Sequence, residues 1–235
     1  MHKIRKHAFA ILLAVLSLAA ARAQGNLPYA DDRPLHFGFF LGLNTMDFGT
    51  ELSRLPQDDG RIYLADVPGL MPGFTAGIIG DLRLNRYFNL RFSPSINFTE
   101  RRLVYRVEDD PAVGTLTTTT MSIPIMLPLH VKYSAERLHN FRPYVLAGGG
   151  VSFECARDRE RDILLKPFDY YVEVGTGCDI YFPFFKFAPE LRFAIGFNNM
   201  LTPIDQRDPG SYDPRFTRAL NRLTSKTLTL CFNFE

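Results

Sequence analysis

The chain has 235 residues, of which 46% are hydrophobic and 22% charged, and its formal charge is +2. A chain of this length and composition can bury a full core, which excludes a disordered or collagen-like polymer. The 21 Phe and 10 Tyr fall in alternating runs, which favours β structure over a helical bundle.

The first 23 residues have the pattern of a secretory signal peptide. A basic stretch at 2–7 precedes an apolar stretch at 8–20, and an A-x-A cleavage site ends at Ala23. Cleavage between Ala23 and Gln24 leaves a mature chain that begins with a periplasmic segment, 24–34. A membrane anchor is the disfavoured alternative, because the apolar stretch is short and polar residues follow it.

The mature chain is slightly acidic. Removal of the leader takes away four of the 27 basic residues and leaves 23 against 25 acidic ones, a formal charge of −2. The remaining Lys and Arg form no cluster with interleaved aromatics, so no nucleic-acid partner is expected. No later segment has about 18 uninterrupted apolar residues, so a membrane location requires a barrel.

Eight segments of the mature chain alternate apolar and polar residues with a period of two, which is typical of strands. In one of the clearest, Phe187 and Leu191 alternate with Glu190 and Arg192. The segments are 35–46, 72–84, 87–104, 115–133, 142–154, 169–182, 186–198 and 224–235. They predict an all-β fold, an eight-stranded antiparallel barrel over residues 35–235.

The links between these segments alternate in length. Long links at 47–71, 105–114, 155–168 and 199–223 are separated by short turns. This alternation is typical of outer-membrane barrels, which have long extracellular loops and short periplasmic turns. The sequence therefore predicts an outer-membrane protein with both termini on the periplasmic side and outer-membrane lipid around it.

Period two alone does not distinguish this barrel from a soluble lipocalin-like barrel, in which the apolar face points inward. The composition of the polar face favours the membrane alternative. It is rich in Gly, Ser, Thr and Asn and carries only one or two charges per strand. Small residues suit the narrow interior of an eight-stranded barrel, so we expect the polar face in the lumen and the Phe/Leu/Ile face against lipid.

Charged residues on the luminal face nearly balance in sign. Because buried charges must be paired, we expect a structural network of ion pairs that fills the barrel, rather than an ion pathway. Its expected members are Asp81, Arg83, Arg91, Lys132, Glu154, Glu173, Asp179, Glu190 and Arg192.

No hydrolase, metal-binding or phosphate-binding motif occurs in the sequence. We therefore expect no enzymatic activity, no cofactor and no small-molecule substrate. The histidines of the mature chain, His36, His130 and His139, are expected to make polar contacts near the periplasmic rim.

Three local features give further expectations. Cys178 and Cys231 lie on opposite faces of their strands, which argues against a disulfide between them. Pro124 and Pro128 within a strand predict a bulge or local unpairing. An N-terminal cap at Asp213 predicts a short amphipathic helix, which is either a lid on the barrel mouth or a partner-docking element.

Several segments resemble the PorT family, outer-membrane barrels of the type IX secretion system. They are the opening strand from Arg33 to Phe48 with its L-G-L-N-x-x-D-F pattern, the segments 122–133 and 142–150, and the ending from Leu223 to the terminal Phe234-Glu235. The resemblance implies a non-enzymatic component required for type IX export of cargo such as secreted proteases, with other secretion components as partners. The alternative function is that of a small surface barrel in adhesion or host interaction.

Overall fold

The computed structural model describes residues 26–27, 30–53, 55–56, 60–66, 71–107, 115–156, 163–207 and 213–235. The predicted signal peptide and its cleavage site at Ala23 and Gln24 lie outside the described residues. Within these ranges, no helix has the length and apolar character needed to cross a bilayer.

Eleven strands and a short helix make up most of the described chain. The strands are β1 (Leu35–Leu52), β2 (Tyr63–Asp66), β3 (Pro72–Arg83), β4 (Phe88–Phe92), β5 (Ser95–Val107), β6 (Thr115–Ser122), β7 (Pro124–Ser134), β8 (Phe141–Glu154), β9 (Phe168–Tyr181), β10 (Lys186–Gly196) and β11 (Leu220–Phe234), and the helix α1 is Pro214–Arg218.

Antiparallel pairing closes these strands into a ring. β1 pairs with β3 on one side and with β11 on the other, and β7 to β11 pair successively. β4 and β5 together take the place next to β3, and β6 and β7 together take the next place. The ring therefore has eight strand positions, as expected. The short strand β2 pairs with the last four residues of β5, from Val104 to Val107.

Two strand positions of the ring are interrupted, β4 with β5 and β6 with β7, and their pairing keeps one register throughout. Pairing runs from Phe88↔Tyr133 to Arg106↔Thr115 without a shift, across the breaks at 93–94 and at 123. Because proline has no backbone N–H, it cannot donate to the ladder at Pro124 and Pro128. Of the two outcomes expected there, the structure shows local unpairing and no bulge.

The predicted alternation of links is present. The short turns are 84–87, 135–140 and 182–185, whereas the links at the opposite end of the barrel are the longer ones, 53–71, 108–114, 155–167 and 197–219. β1, β5, β6 and β11 extend beyond their neighbours at that end. The expected long extracellular loops and short periplasmic turns therefore describe the fold.

Apolar side chains form a continuous belt on the outer wall. Leu41, Leu43 and Val174 are more than half exposed, as are Phe74 and Ile78 on β3. On β1 the belt runs from Leu35 to Leu43, about the length with which a tilted strand crosses a bilayer. The apolar face therefore points outward, which excludes the inside-out lipocalin arrangement.

A hydrophobic core fills the extracellular end of the barrel. Leu103, Tyr105 and Val107 on β5 point inward there and meet apolar residues from the long links. The other buried members of this core, which we call the extracellular plug, are Phe48, Tyr63, Ala65, Ile163, Leu165, Met200, Leu201, Phe216, Ala219, Leu220 and Leu223.

The predicted helix is present as α1 and lies in this plug. The Asp213 carboxylate accepts the Arg215 backbone N–H at 3.0 Å, and Pro214 takes the first helical position. The ring of Phe216 packs edge-on against Tyr105, with centroids 4.7 Å apart. Since its apolar side is buried, the helix packs as a lid on the barrel mouth.

All three thiols are free, and their surroundings differ. Cys155 is exposed just beyond the extracellular end of β8. In a variant carrying Cys178→Ser and Cys231→Ser, a membrane-impermeant maleimide should therefore label Cys155 in intact cells. A variant that retains only Cys231, whose side chain is buried in the lumen, should react only after unfolding. Labelling of Cys155 only after permeabilisation of the outer membrane would contradict the orientation.

Loss of the helix cap should loosen the lid. Asp213→Ala removes a cap of about 1 kcal/mol, so trypsin cleavage after Arg215 and Arg218 should accelerate roughly fivefold. Asp205→Ala, an exposed acid in the same link, is the matched control and should leave the cleavage rate unchanged. Equal acceleration in both variants would show that the cap does not hold the lid.

The same contact gives the lid a pH dependence. Hydrogen bonds from Arg215 lower the pKa of Asp213 in the folded protein. A lowered folded pKa means that this stabilisation is present above the unfolded value and is lost as the pH falls through the folded value. Asp213→Asn, which does not titrate, should remove this part of the dependence.

Candidate functional site: the luminal charge network

Eight of the nine charged residues expected in the lumen are less than one tenth exposed. They are Asp81, Arg91, Lys132, Glu154, Glu173, Asp179, Glu190 and Arg192. Arg83 differs, since it lies at the periplasmic rim with a quarter of its side chain exposed and pairs with Asp32 at 3.1 Å. Most of the eight belong to one connected cluster, which we call the luminal charge network.

Arg91 is the hub of this network. Its Nη2 lies 2.7 Å from Asp81 and 2.7 Å from Glu235, and its Nη1 lies 3.2 Å from Glu190. The guanidinium has five N–H donors in a rigid fork, so it can bind several carboxylates at once. Asn89 donates a further bond of 2.7 Å to Asp81.

Glu190 joins the hub to the far side of the lumen. Besides Arg91, its carboxylate accepts hydrogen bonds from Tyr144 and from Nε of Arg192. Asn233 completes its shell at 3.3 Å. Nε of Arg192 also lies 3.8 Å from Glu173, so the pairs on β10 are linked to β9.

The periplasmic end of the network is built around Lys132. Its ammonium lies 2.9 Å from Asp179 and 3.9 Å from the centre of the Tyr144 ring, which adds a cation–π contact. Lys186 pairs with Glu235 and so connects β10 to the end of β11.

His130 is not at the rim, where the sequence analysis expected it. It is fully buried inside the barrel, and its Nε2 lies 3.5 Å from Glu173. His130 pairs with Arg91 on β4 and with Gly148 on β8, so it lies at the depth of the luminal charge network. Strand β7 is tilted and continues to Ser134, which leaves His130 within the luminal stretch.

Glu154 lies apart from the hub and binds the residues at the interruption between β6 and β7. Its carboxylate accepts the Ser122 hydroxyl and the Ile123 backbone N–H, each at 2.6 Å. Ser122 is the last residue of β6, and Ile123 lies in the interruption between β6 and β7. A luminal side chain therefore accepts the hydrogen bond of the Ile123 backbone N–H beside Pro124.

Arg101 lies above the network and has few partners. Its guanidinium contacts the sulfur of Met46 at 3.4 Å and the ring of Phe48 at 4.8 Å. Its Nε and Nη1 have no hydrogen-bond partner among the described residues. Arg101, Asp169 and Tyr171 line a cavity of about 20 Å³, which is large enough for a water molecule.

The periplasmic opening is crossed by the segment that precedes β1. The backbone N–H of Asn26 donates to Asn140 at 2.8 Å, and the Tyr181 hydroxyl donates to Asp31 at 2.7 Å. Arg137 stacks on the Tyr181 ring and donates to the backbone of this segment. The periplasmic mouth is thereby covered.

Sequence reasoning missed several members of the lumen. Lys186 is the first residue of β10 and Glu235 follows the last residue of β11, while Tyr144 lies in the segment 142–150 that resembles the PorT family. Extending the alternation of β10 back to its first residue places Lys186 on the luminal face, in line with Glu190 and Arg192. The contact between Glu235 and Arg91 joins residues 144 positions apart in the chain, which no local pattern indicates.

The arrangement is chemically suited to hold strands together. Acids and bases neutralise one another in a space without bulk solvent, and the described residues contain no group of three or more His, Cys, Asp or Glu that could bind a metal. The extracellular plug, the luminal charge network and the N-terminal segment follow one another along the barrel axis.

A family model for the outer membrane protein β-barrel domain matches residues 22–202, which is most of the chain. The chain belongs to this family. Membership places it among outer-membrane barrels, in agreement with the outward apolar belt. Among curated protein sequences, none matches this chain significantly.

Two solved structures resemble the fold at low sequence identity. Neisserial surface protein A is 13% identical, with 86% of this chain and 98% of that chain covered and a TM-score of 0.41. The outer membrane protein OprG of Pseudomonas aeruginosa is 12% identical, with coverages of 84% and 94% and a TM-score of 0.47.

Removal of the hub should destabilise the barrel strongly. Arg91→Met leaves three buried carboxylates short of a cation, and breaking a buried pair in this way costs about 3–5 kcal/mol. Arg83→Met at the rim is the matched control and should cost less than about 1 kcal/mol. Urea unfolding in lipid vesicles, followed by gel migration without heating, measures both; similar losses would contradict the role of the hub.

Proposed function

We propose that this protein is a non-enzymatic outer-membrane component of type IX protein secretion that acts through its surfaces. The resemblance of its opening strand and its ending to the PorT family supports this proposal. Cargo in that system is exported from the periplasm, so the barrel would contribute either as the channel for cargo or through contacts of its surfaces.

The obstruction of the lumen is the observation that carries the proposal. The extracellular plug, the hub at Arg91 and the segment at Asn26 and Asp31 each occupy a different level of the barrel. An eight-stranded barrel has an interior only wide enough for side chains. A folded or extended cargo chain has no path through it, so the role falls to surfaces that contact other secretion components.

Three surfaces are available for such contacts, and one of them is the lipid-facing belt on the outer wall. On the extracellular side, the hairpin of β5 and β6 projects beyond the belt and exposes Glu100, Arg102 and Arg106. On the periplasmic side, the covering segment and the three turns face the compartment from which cargo arrives.

Crosslinking positions follow from side-chain exposure. Tyr63, although it lies in an extracellular link, is buried in the plug and is a poor position for a crosslinker. Photo-reactive residues at the exposed positions Arg102 and Arg106 should sample the extracellular surface, and one at Glu136 should sample the periplasmic turns.

Deletion of the gene tests the function directly. We expect unprocessed cargo to accumulate in the periplasm and the wild-type chain to restore its export. A chain in which Asp213→Ala loosens only the lid serves as a folded control that should also restore export. Normal export with altered adhesion would reject the proposal and assign the protein to the surface-barrel alternative.

A further inference from the structure

The barrel wall has a notch where its first and last strands meet. The last pair between β1 and β11 is Phe39↔Phe234, whereas β1 continues to pair with β3 down to Leu35↔Leu82. The first residues of β1 therefore extend past the end of β11. On the other side of this step lies the periplasmic turn 182–185.

Aromatic side chains turn this notch into a groove of about 430 Å³. Its lining consists of Phe37, Phe39, Phe185 and Phe234 with Gly38 and Glu235. Phe39 stacks on Phe234 with centroids 5.2 Å apart. The side chain of Phe37 is 71% exposed and forms one side of the groove.

The surface of the groove is almost entirely apolar. The carboxylate of Glu235 is turned into the lumen, where Arg91 and Lys186 bind it. Phe185 is held in place by stacking on Phe182, with centroids 5.0 Å apart. Among the described residues that line the groove, Glu235 is the one with a charged side chain, and that side chain is bound inside the lumen.

We propose that this groove binds one acyl chain of a phospholipid in the periplasmic leaflet. The groove is continuous with the lipid-facing belt, because Phe37 and Phe39 share the outward face of β1 with Leu41 and Leu43. It lies at the end of the barrel that carries the short turns, which is the level of the periplasmic leaflet. A second copy of the chain is the competing occupant.

The geometry distinguishes this site from the ordinary lipid annulus. Elsewhere on the belt, neighbouring strands run alongside one another and side chains such as Phe193 project from a continuous wall. In the notch, aromatic walls surround an acyl chain on several sides, which buries more of its surface than a flat wall can. This proposal is independent of the proposed role in secretion.

Native mass spectrometry of the full mature chain tests the proposal. The protein in detergent is titrated with palmitoyl-oleoyl phosphatidylethanolamine and, separately, with the phosphatidylglycerol of the same chains. One tightly retained lipid per barrel is expected with either headgroup, because the groove recognises the acyl chain. Phe37→Ala and Phe185→Ala should each weaken retention about tenfold.

Phe193→Ala is the matched control, since it makes the same change on the flat part of the belt and should alter retention less than about twofold. Phe37→Trp, which narrows the groove and keeps an aromatic ring at the membrane interface, should weaken binding without loss of folding. Folding of every variant is checked by migration without heating. Equal losses in Phe193→Ala, no retained lipid, or a dimer that dissociates in the groove variants would each overturn the proposal.

Discussion

An eight-stranded barrel encloses a space only wide enough for side chains, and this limit governs the interior of the protein. Large residues fit only where the residue facing them is small. A Cβ on Gly177 would lie 2.6 Å from the Tyr144 hydroxyl, and one on Gly77 would lie 2.5 Å from the Phe40 ring. The absence of a side chain at Gly77 and Gly177 therefore leaves the space into which the rings of Phe40 and Tyr144 pack.

The same limit explains why the luminal charges form a network. Too little room remains for bulk water, so each buried ion must find its counter-ion among the side chains of other strands. Arg91 on β4 meets acids from β3 and β10 and the residue after β11, and Lys132 on β7 meets Asp179 on β9. The network thus ties together strands that are distant in the sequence, and it obstructs the lumen while doing so.

The alternation of residues predicted most of the fold, because the two faces of each strand in a membrane barrel have very different surroundings. One face contacts lipid and is apolar, and the other faces the lumen and carries polar and charged residues. The alternation placed eight of the nine expected charges inside. It did not predict the extracellular plug, since Leu103 and Tyr105 continue the luminal face of β5 above the membrane, where the interior is apolar. It also misplaced His130, because the depth of a residue in a barrel depends on strand tilt and stagger, which are set by pairing across the whole ring.

The central claim is that the lumen is obstructed along its length, and planar-bilayer recording tests it most directly. Purified mature protein inserted into a bilayer should show no steady conductance over the baseline of detergent alone, at either polarity. Stable, reproducible conductance steps from protein that migrates as the folded form would contradict the account, because they would require a continuous aqueous path past the plug and Arg91.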